Sequence, residues 1–382
     1  MFSLIMMLGF EKSVTQRGGK LMSGMKLGLG LYRDMLDRDH MRFARQCGCT
    51  HLIIHLVNYY SGGDANIVTA TDATHNYGIS TAYDPIWSED NLRSLQRMAA
   101  EEGLEIYGIE NFDPADWYDV LLDGPKRAEQ MENLKAIIRR TGKLGIRAFG
   151  YNFSIAGVWG HQKRAAARGG ATSTCFDASL LDLDVPIPNG QVWNMTYAPG
   201  DGGFMSPISS AELWDRLKRF LDEILPVAEE SGVELALHPD DPPMPELRCT
   251  PRMVYQPSLY DRLISLNPSP ANMIEFCMGS LQEMTEGNLY DEIDHFAGAK
   301  RISYVHFRNV RGKVPCYDEV FIDEGDIDML HALSHFKANN FDGVLIPDHT
   351  PLVTCRAPWY AGMAYALGYM RAAFAMLDKG LL

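Results

Sequence analysis

The sequence predicts a single α/β domain, a (β/α)8 barrel, on three observations. Short apolar runs alternate with longer amphipathic segments, and eight such runs can be counted. No Gly-rich phosphate fingerprint follows the first run, where the chain reads Leu31-Tyr32-Arg33-Asp34. Eight parallel strands close a barrel, whereas an open doubly wound sheet is the fold that carries such a fingerprint. The length of 382 residues suits one barrel with loop insertions, and neither a linker nor a second core is apparent.

The runs are rich in Ile, Val, Leu and aromatics and place strands at 26–32, 51–56, 104–110, 146–152, 233–238, 272–277, 302–307 and 343–348. Helical periodicity between them places helices near 38–48, 88–102, 127–143, 211–230, 291–297, 326–340 and 359–377, several opened by capping residues such as Ser88 and Ser210. Two connections exceed a turn: 57–87 after the second strand and 153–210 after the fourth. Both fall on the C-terminal face, where barrels keep their active sites, and read as lids. The second carries Arg168-Gly169-Gly170-Ala171, Trp193 and Asn194, and an insertion that serves oligomer contact is its other reading. Residues 1–24 read as a flexible extension or an unused upstream start, and 25–382 as the catalytic barrel.

Thirty-five Lys and Arg against 49 Asp and Glu give a net charge of −14, which repels phosphate backbones and anionic lipid heads. Nucleic acid and membrane are therefore excluded as expected partners, and an anionic substrate requires a metal or an Arg cluster to reverse the sign locally. Seven cysteines without a CxxC pair suit a reducing compartment. The apolar stretch at 2–10 is too short to span a bilayer and lacks a basic leading segment, so a cytoplasmic protein is expected, plausibly a homo-oligomer.

A barrel aims the last residues of its strands at one centre. Strand 5 ends in His238, strand 6 in Cys277, strand 7 in His306 and strand 8 in Asp348, a nitrogen, sulfur and oxygen set able to hold a divalent transition metal. A lone His or Cys at a strand end is more often a satisfied core residue, but four in matching positions favour the metal. His238 opens a proline-stiffened turn, His-Pro-Asp-Asp-Pro-Pro, in which Asp240 and Asp241 read as partners of the imidazole, Asp240 also as a substrate contact, or as a solvated turn. Arg308 offers a fork for a substrate carboxylate, or a surface ion pair. Glu110, Asn152, Glu324 and Asp326 are polar groups on the same face, suited to substrate hydroxyls or, for the last two, to capping the next helix.

His238-Pro-Asp-Asp-Pro-Pro, Cys277-Met-Gly-Ser, Val305-His-Phe-Arg, Phe321-Ile-Asp-Glu-Gly-Asp-Ile-Asp-Met and Pro347-Asp-His resemble, in content and order, the mannonate dehydratase family. The resemblance runs from about Met25 and is strongest from Val233 onward. It implies a xylose-isomerase-like TIM barrel and a manganese or similar divalent ion (iron, cobalt and zinc being the alternatives) on His238, Cys277, His306 and Asp348. It also implies dehydration of D-mannonate to 2-keto-3-deoxygluconate in hexuronate catabolism, with His349 and a tyrosine beyond it, Tyr360, as acid and base. Histidine suits proton transfer near neutrality, whereas Tyr360 beside Trp359 also reads as packing. The chain departs from the family pattern in the segment after Phe153 and at Asn309, which directs any difference in the preferred sugar acid to that lid. A metal-dependent sugar isomerase or epimerase of the same barrel class is the alternative activity, and a non-catalytic sugar-acid-binding barrel a further one.

Overall fold

The computed structural model describes residues 24–59, 78–81 and 83–382; the expected extension at 1–24, all but its last residue, and much of the connection after the second strand lie outside the described residues. Eight strands form a closed barrel: β1 (Lys26–Leu31), β2 (His51–His55), β3 (Glu105–Glu110), β4 (Ala148–Tyr151), β5 (Glu234–Leu237), β6 (Asn272–Cys277), β7 (Ile302–His306) and β8 (Val344–Ile346). Each pairs in parallel with its neighbours in sequence and β8 closes on β1, so the expected barrel is the observed one. Every barrel strand lies inside its predicted run. Parallel strands buried on both faces need apolar side chains on both, and so stand out as unbroken runs.

Inward-facing side chains fill the barrel. Ile53, Tyr107, Ala148, Ala236, Met273, Tyr304, Val344 and Ile346 form one buried cluster, which β1 meets with glycine: a Cβ on Gly28 would fall 2.5 Å from Val344 Cγ1. Outside, α1 (Arg38–Gln46), α2 (Glu89–Glu101), α3 (Pro114–Leu122), α4 (Arg127–Lys143), α5 (Ser210–Ser231), α6 (Ser258–Leu266), α7 (Met278–Glu283), α8 (Leu289–Gly298), α9 (Met329–Ala338) and α10 (Pro358–Asp378) cover the strands. The short α3, α6 and α7 are additions to the predicted set. Ser88 caps α2 as expected, α5 is capped by Ser209, one residue earlier than expected, and Asp328, not Asp326, caps α9.

Register sets the height of the strand ends. Cys277 pairs with His306, His306 with Ile346, and His55 with Glu110, so these side chains reach the C-terminal mouth at one level. The connection after β4 is a folded cover. Its strands Gln162–Ala167 and Ala171–Asp177 form a hairpin, and the second pairs with Cys316–Glu319 of another hairpin that follows β7, giving a four-stranded antiparallel sheet. Among the described residues no helix is long and apolar enough to cross a membrane.

α4 and α5 pack closely because position 142 has no side chain. A Cβ on Gly142 would lie 2.7 Å from Ser231 Cβ and closer still to the Ser231 carbonyl oxygen. Gly142→Ala is expected to cost about 1–3 kcal/mol. Gly368→Ala, in α10 with nothing within 4 Å of its Cβ, is expected to gain up to about 1 kcal/mol. Urea unfolding of the two variants checks the pair; equal midpoints would contradict this packing.

Candidate active site

The strand ends surround a cavity whose lining includes His238, His306, Asp348, His349, Glu110 and Asn152, all named from the sequence. Ligand atoms of His238, Cys277 and His306 lie within 4.8 Å of one another, and Asp348 Oδ2 is 3.4 Å from His306 Nδ1. Asp348 reaches this point from a left-handed backbone (φ 58°) directly beyond β8, a conformation that Asp tolerates better than most residues.

The two imidazoles are each oriented by an acceptor on one ring nitrogen. His238 Nδ1 is 2.6 Å from the Pro239 carbonyl, which accepts its N–H and leaves Nε2 as the lone-pair donor. His306 Nε2 hydrogen-bonds Glu110 Oε2 at 3.3 Å and lies 3.0 Å from Glu275 Oε1. Its Nδ1 is buried without a hydrogen-bond partner. An orphaned imidazole nitrogen next to a thiolate, a second imidazole and a carboxylate is what a bound transition metal requires, so the donor set fits the expected ion.

Charge reinforces that fit. Burial pushes the Cys277 thiol up, but Arg308 together with His238 and His306 more than offsets it and holds the thiol near pKa 5. Burial disfavours the His238 imidazolium, while Glu275 and the Cys277 thiolate raise its pKa to about 9. Burial likewise opposes the His306 imidazolium, and Asp348, Glu110 and Glu275 raise it well above the usual range. In the metal-free chain two protons on the histidines thus balance the thiolate and Asp348, and a divalent cation replaces them without change of charge.

Arg308 lines the cavity but is already engaged by this chain's own acidic groups. It is only 2% exposed, and its guanidinium donates to Glu319, to Asp241 Oδ2 (2.7 Å) and to Ser280 Oγ (3.1 Å), with the Cys277 sulfur at 3.4 Å. Its two terminal nitrogens are taken up by this chain's own carboxylates beside the thiolate, while its Nε makes no hydrogen bond and the residue lines the cavity. Asp241, expected to serve His238, faces Arg308 and accepts from Tyr317 (2.6 Å), with His161 of the cover at 3.0 Å. Glu319 pairs with His349 Nδ1 at 3.0 Å.

Four other expectations are corrected by placement. Asp240 is turned away from the cavity, paired with Arg252 (3.0 Å) and accepting from the Met253 and Val254 amides. Glu324 accepts from the Arg168 amide and from Arg311, and the exposed Asp326 accepts from the Gly312 amide, so both tie down the hairpin after β7. Tyr360 stacks on His40 (5.4 Å between rings) and meets Phe43 edge-on in the first turn of α10, outside the cavity lining. The sequence reading missed Tyr32, His55, Tyr59, Asn111 and Trp193 of the lining, together with Glu275 behind His306. His55 ends β2 and was findable by the strand-end criterion; Glu275 precedes Cys277 by two and so shares its face of the strand.

The charge balance generates a prediction. Loading the metal-free protein at pH 7 should release about two protons per ion, and affinity should weaken as pH falls, first through imidazole protonation and more steeply below about 5 as the thiolate is lost. Calorimetric titration with zinc or manganese in buffers of different ionisation enthalpy measures this; binding without proton release would contradict it.

The chain is similar to known proteins over most of its length. The family profile described as D-mannonate dehydratase (UxuA) matches residues 54–198 and 203–380. A mannonate dehydratase of Streptococcus pneumoniae is 32% identical over 288 residues, covering 71% of this chain and 78% of that protein. Mannonate dehydratase 2 of Halalkalibacterium halodurans is 29% identical over 72% of this chain and 83% of its own length. The crystal structure of mannonate dehydratase from Streptococcus suis superposes with a TM-score of 0.74 at 26% identity, over 93% of this chain and 95% of that one. An L-ribulose 3-epimerase, at 14% identity and a TM-score of 0.54, shares the barrel alone. With its xylose-isomerase-like TIM barrel and a profile match over most of its length, this chain belongs to the D-mannonate dehydratase family.

Proposed function

We propose that this chain, a hydro-lyase by family, dehydrates D-mannonate or a closely related sugar acid to the 2-keto-3-deoxy acid, with a divalent transition metal held by His238, Cys277, His306 and Asp348. The observation that carries the reading is the orphaned His306 Nδ1 facing the thiolate, in a chain of this family. When bound, the metal supplies a Lewis acid for the substrate carboxylate and the charge that develops next to it. Manganese is the expected ion and iron, cobalt or zinc fit the same donors; the thiolate favours zinc in affinity.

The residues around that position divide the remaining work. Arg308 holds the thiolate and links it through Glu319 to His349. Burial disfavours the His349 imidazolium, but Asp348 and Glu319 raise its pKa to about 9. A protonated imidazole at neutral pH is an acid, suited to hand its proton to the hydroxide that the elimination expels. Glu110, beside His306, and Asn152 also line the cavity, where they can meet substrate hydroxyls. The connection after β4 contributes Val158, His161, Thr174 and Trp193 to the lining, so the preferred sugar acid is set in part there.

Wild-type protein loaded with manganese should convert D-mannonate to a product lighter by one water, whereas an isomerase or epimerase leaves mass unchanged; mass spectrometry decides between them. His349→Asn should keep the metal and lose turnover about a hundredfold or more, and His306→Asn should lose the metal as well. Elemental analysis beside the assay separates the two variants; full activity in His349→Asn removes it as the acid.

A further inference from the structure

The outer layer of the barrel carries a pair of imidazoles that the proposed reaction does not use. Helix α9 follows its Asp328 cap and places His331 and His335 at i and i+4, so both rings stand on one face of the helix. Their Nε2 atoms converge to 3.2 Å, with ring centroids 4.5 Å apart and planes at 87°. Two nitrogens held at about 2.0–2.1 Å from one ion are about 2.9 Å apart at a right angle and about 3.3 Å apart at a tetrahedral one, which brackets the observed separation. The neighbouring helix α8 fixes both rings with an i,i+4 pair of its own, Tyr290 and Asp294. Asp294 Oδ1 lies 2.9 Å from His335 Nδ1, where the carboxylate favours the hydrogen on that nitrogen and the lone pair on Nε2. Asn339 Nδ2 donates to the same carboxylate oxygen at 2.6 Å and holds it in place. Tyr290 meets His331 edge to face at 4.6 Å and His335 at 5.6 Å, and its own oxygen accepts from the Asp328 amide at 2.9 Å. None of these residues lines the cavity at the barrel mouth.

We propose that His331 and His335 form a metal site separate from the barrel mouth, a surface chelate for one divalent transition ion of the zinc, nickel or copper kind, oriented by Asp294. Imidazole suits these ions, whereas manganese prefers oxygen donors, so the pair selects against the ion expected at the mouth. In the metal-free chain one hydrogen lies between the two nitrogens. On binding it moves from His331 Nε2 to Nδ1 of the same ring, and both lone pairs meet the ion with no change in the charge of the protein. The run His331-Ala-Leu-Ser-His335 keeps the spacing by which two histidines of one helix share zinc, but alanine stands where a hydrolytic site of that pattern has its glutamate, so the site binds and does not react. Two protein donors leave the remaining positions to water, which sets the affinity below that of a closed four-donor site. The chelate spans one turn of α9 and is braced by α8, so an ion held there stabilises the packed pair of helices. The site does not depend on which reaction the mouth performs.

The test titrates zinc into the full chain, with no added histidines and with manganese already loaded. Zinc that exchanges into the mouth does so in every variant, so the quantity of interest is the difference between them. Wild type should hold about one zinc ion per chain more than His331→Ala or His335→Ala, by elemental analysis after dialysis. Asp294→Asn should retain that ion with about tenfold weaker affinity. The difference should persist in a His306→Asn background, where the mouth is expected to lose its own ion. Zinc should also raise the melting midpoint of wild type more than that of His331→Ala, while the two agree before zinc is added. Equal zinc content in wild type and both histidine variants, or the same zinc-dependent rise in midpoint in all three, would overturn the site, and unchanged affinity in Asp294→Asn would remove the carboxylate from it. His331 is exposed, so its variant decides the matter even if His335→Ala does not fold.

Discussion

A guanidinium at 2% exposure has to be met by negative charge on every side, and the mouth of this barrel is arranged around that demand at Arg308. Asp241 comes from the turn after β5, Glu283 from α7, Glu319 from the hairpin after β7 and Cys277 from β6. One cation therefore ties four separate pieces of chain together and keeps the thiol ionised. Removing it would leave several buried anions without a partner, a far larger disturbance than losing one hydrogen bond. The same ion pairs extend to His349 through Glu319, so the proposed metal donors and the proposed acid share one electrostatic frame.

The parts of the molecule legible in the sequence are those with short-range causes. Barrel strands read as apolar runs because both of their faces are buried, and the four proposed metal donors read out because a parallel barrel aligns the last residues of its strands. The cover was recognised as a long insertion but not as a sheet. Gln162–Ala167 is a strand of Gln, Lys, Arg and Ala, and its hairpin partner Ala171–Asp177 pairs in turn with residues more than a hundred positions away, so neither alternation nor propensity announces the sheet. Arg308 was assigned from its chemistry alone. Its true surroundings depend on three carboxylates that only the fold brings within reach, and a sequence offers no sign of which charges meet.

Tyrosine illustrates the same limit from the other side. The family resemblance drew attention to a tyrosine following Asp348-His349, and Tyr360 is the match in sequence. In the structure its ring joins an aromatic group with His40, Phe43 and Trp359 on the outer layer. The phenols that do line the cavity, Tyr32 and Tyr59, follow the first two strands. Spacing along the chain locates a residue on an element, but the direction of its side chain follows from packing.

The covering sheet is woven from two loops that leave different strands, β4 and β7, and backbone hydrogen bonds between Ala171–Asp177 and Cys316–Glu319 join them. Neither loop can be exchanged for a homologous one by itself without exposing an unpaired strand edge. Diversification of this mouth, by evolution or in the laboratory, consequently proceeds by replacing the two hairpins as one cassette, while the barrel beneath retains its ligands unaltered.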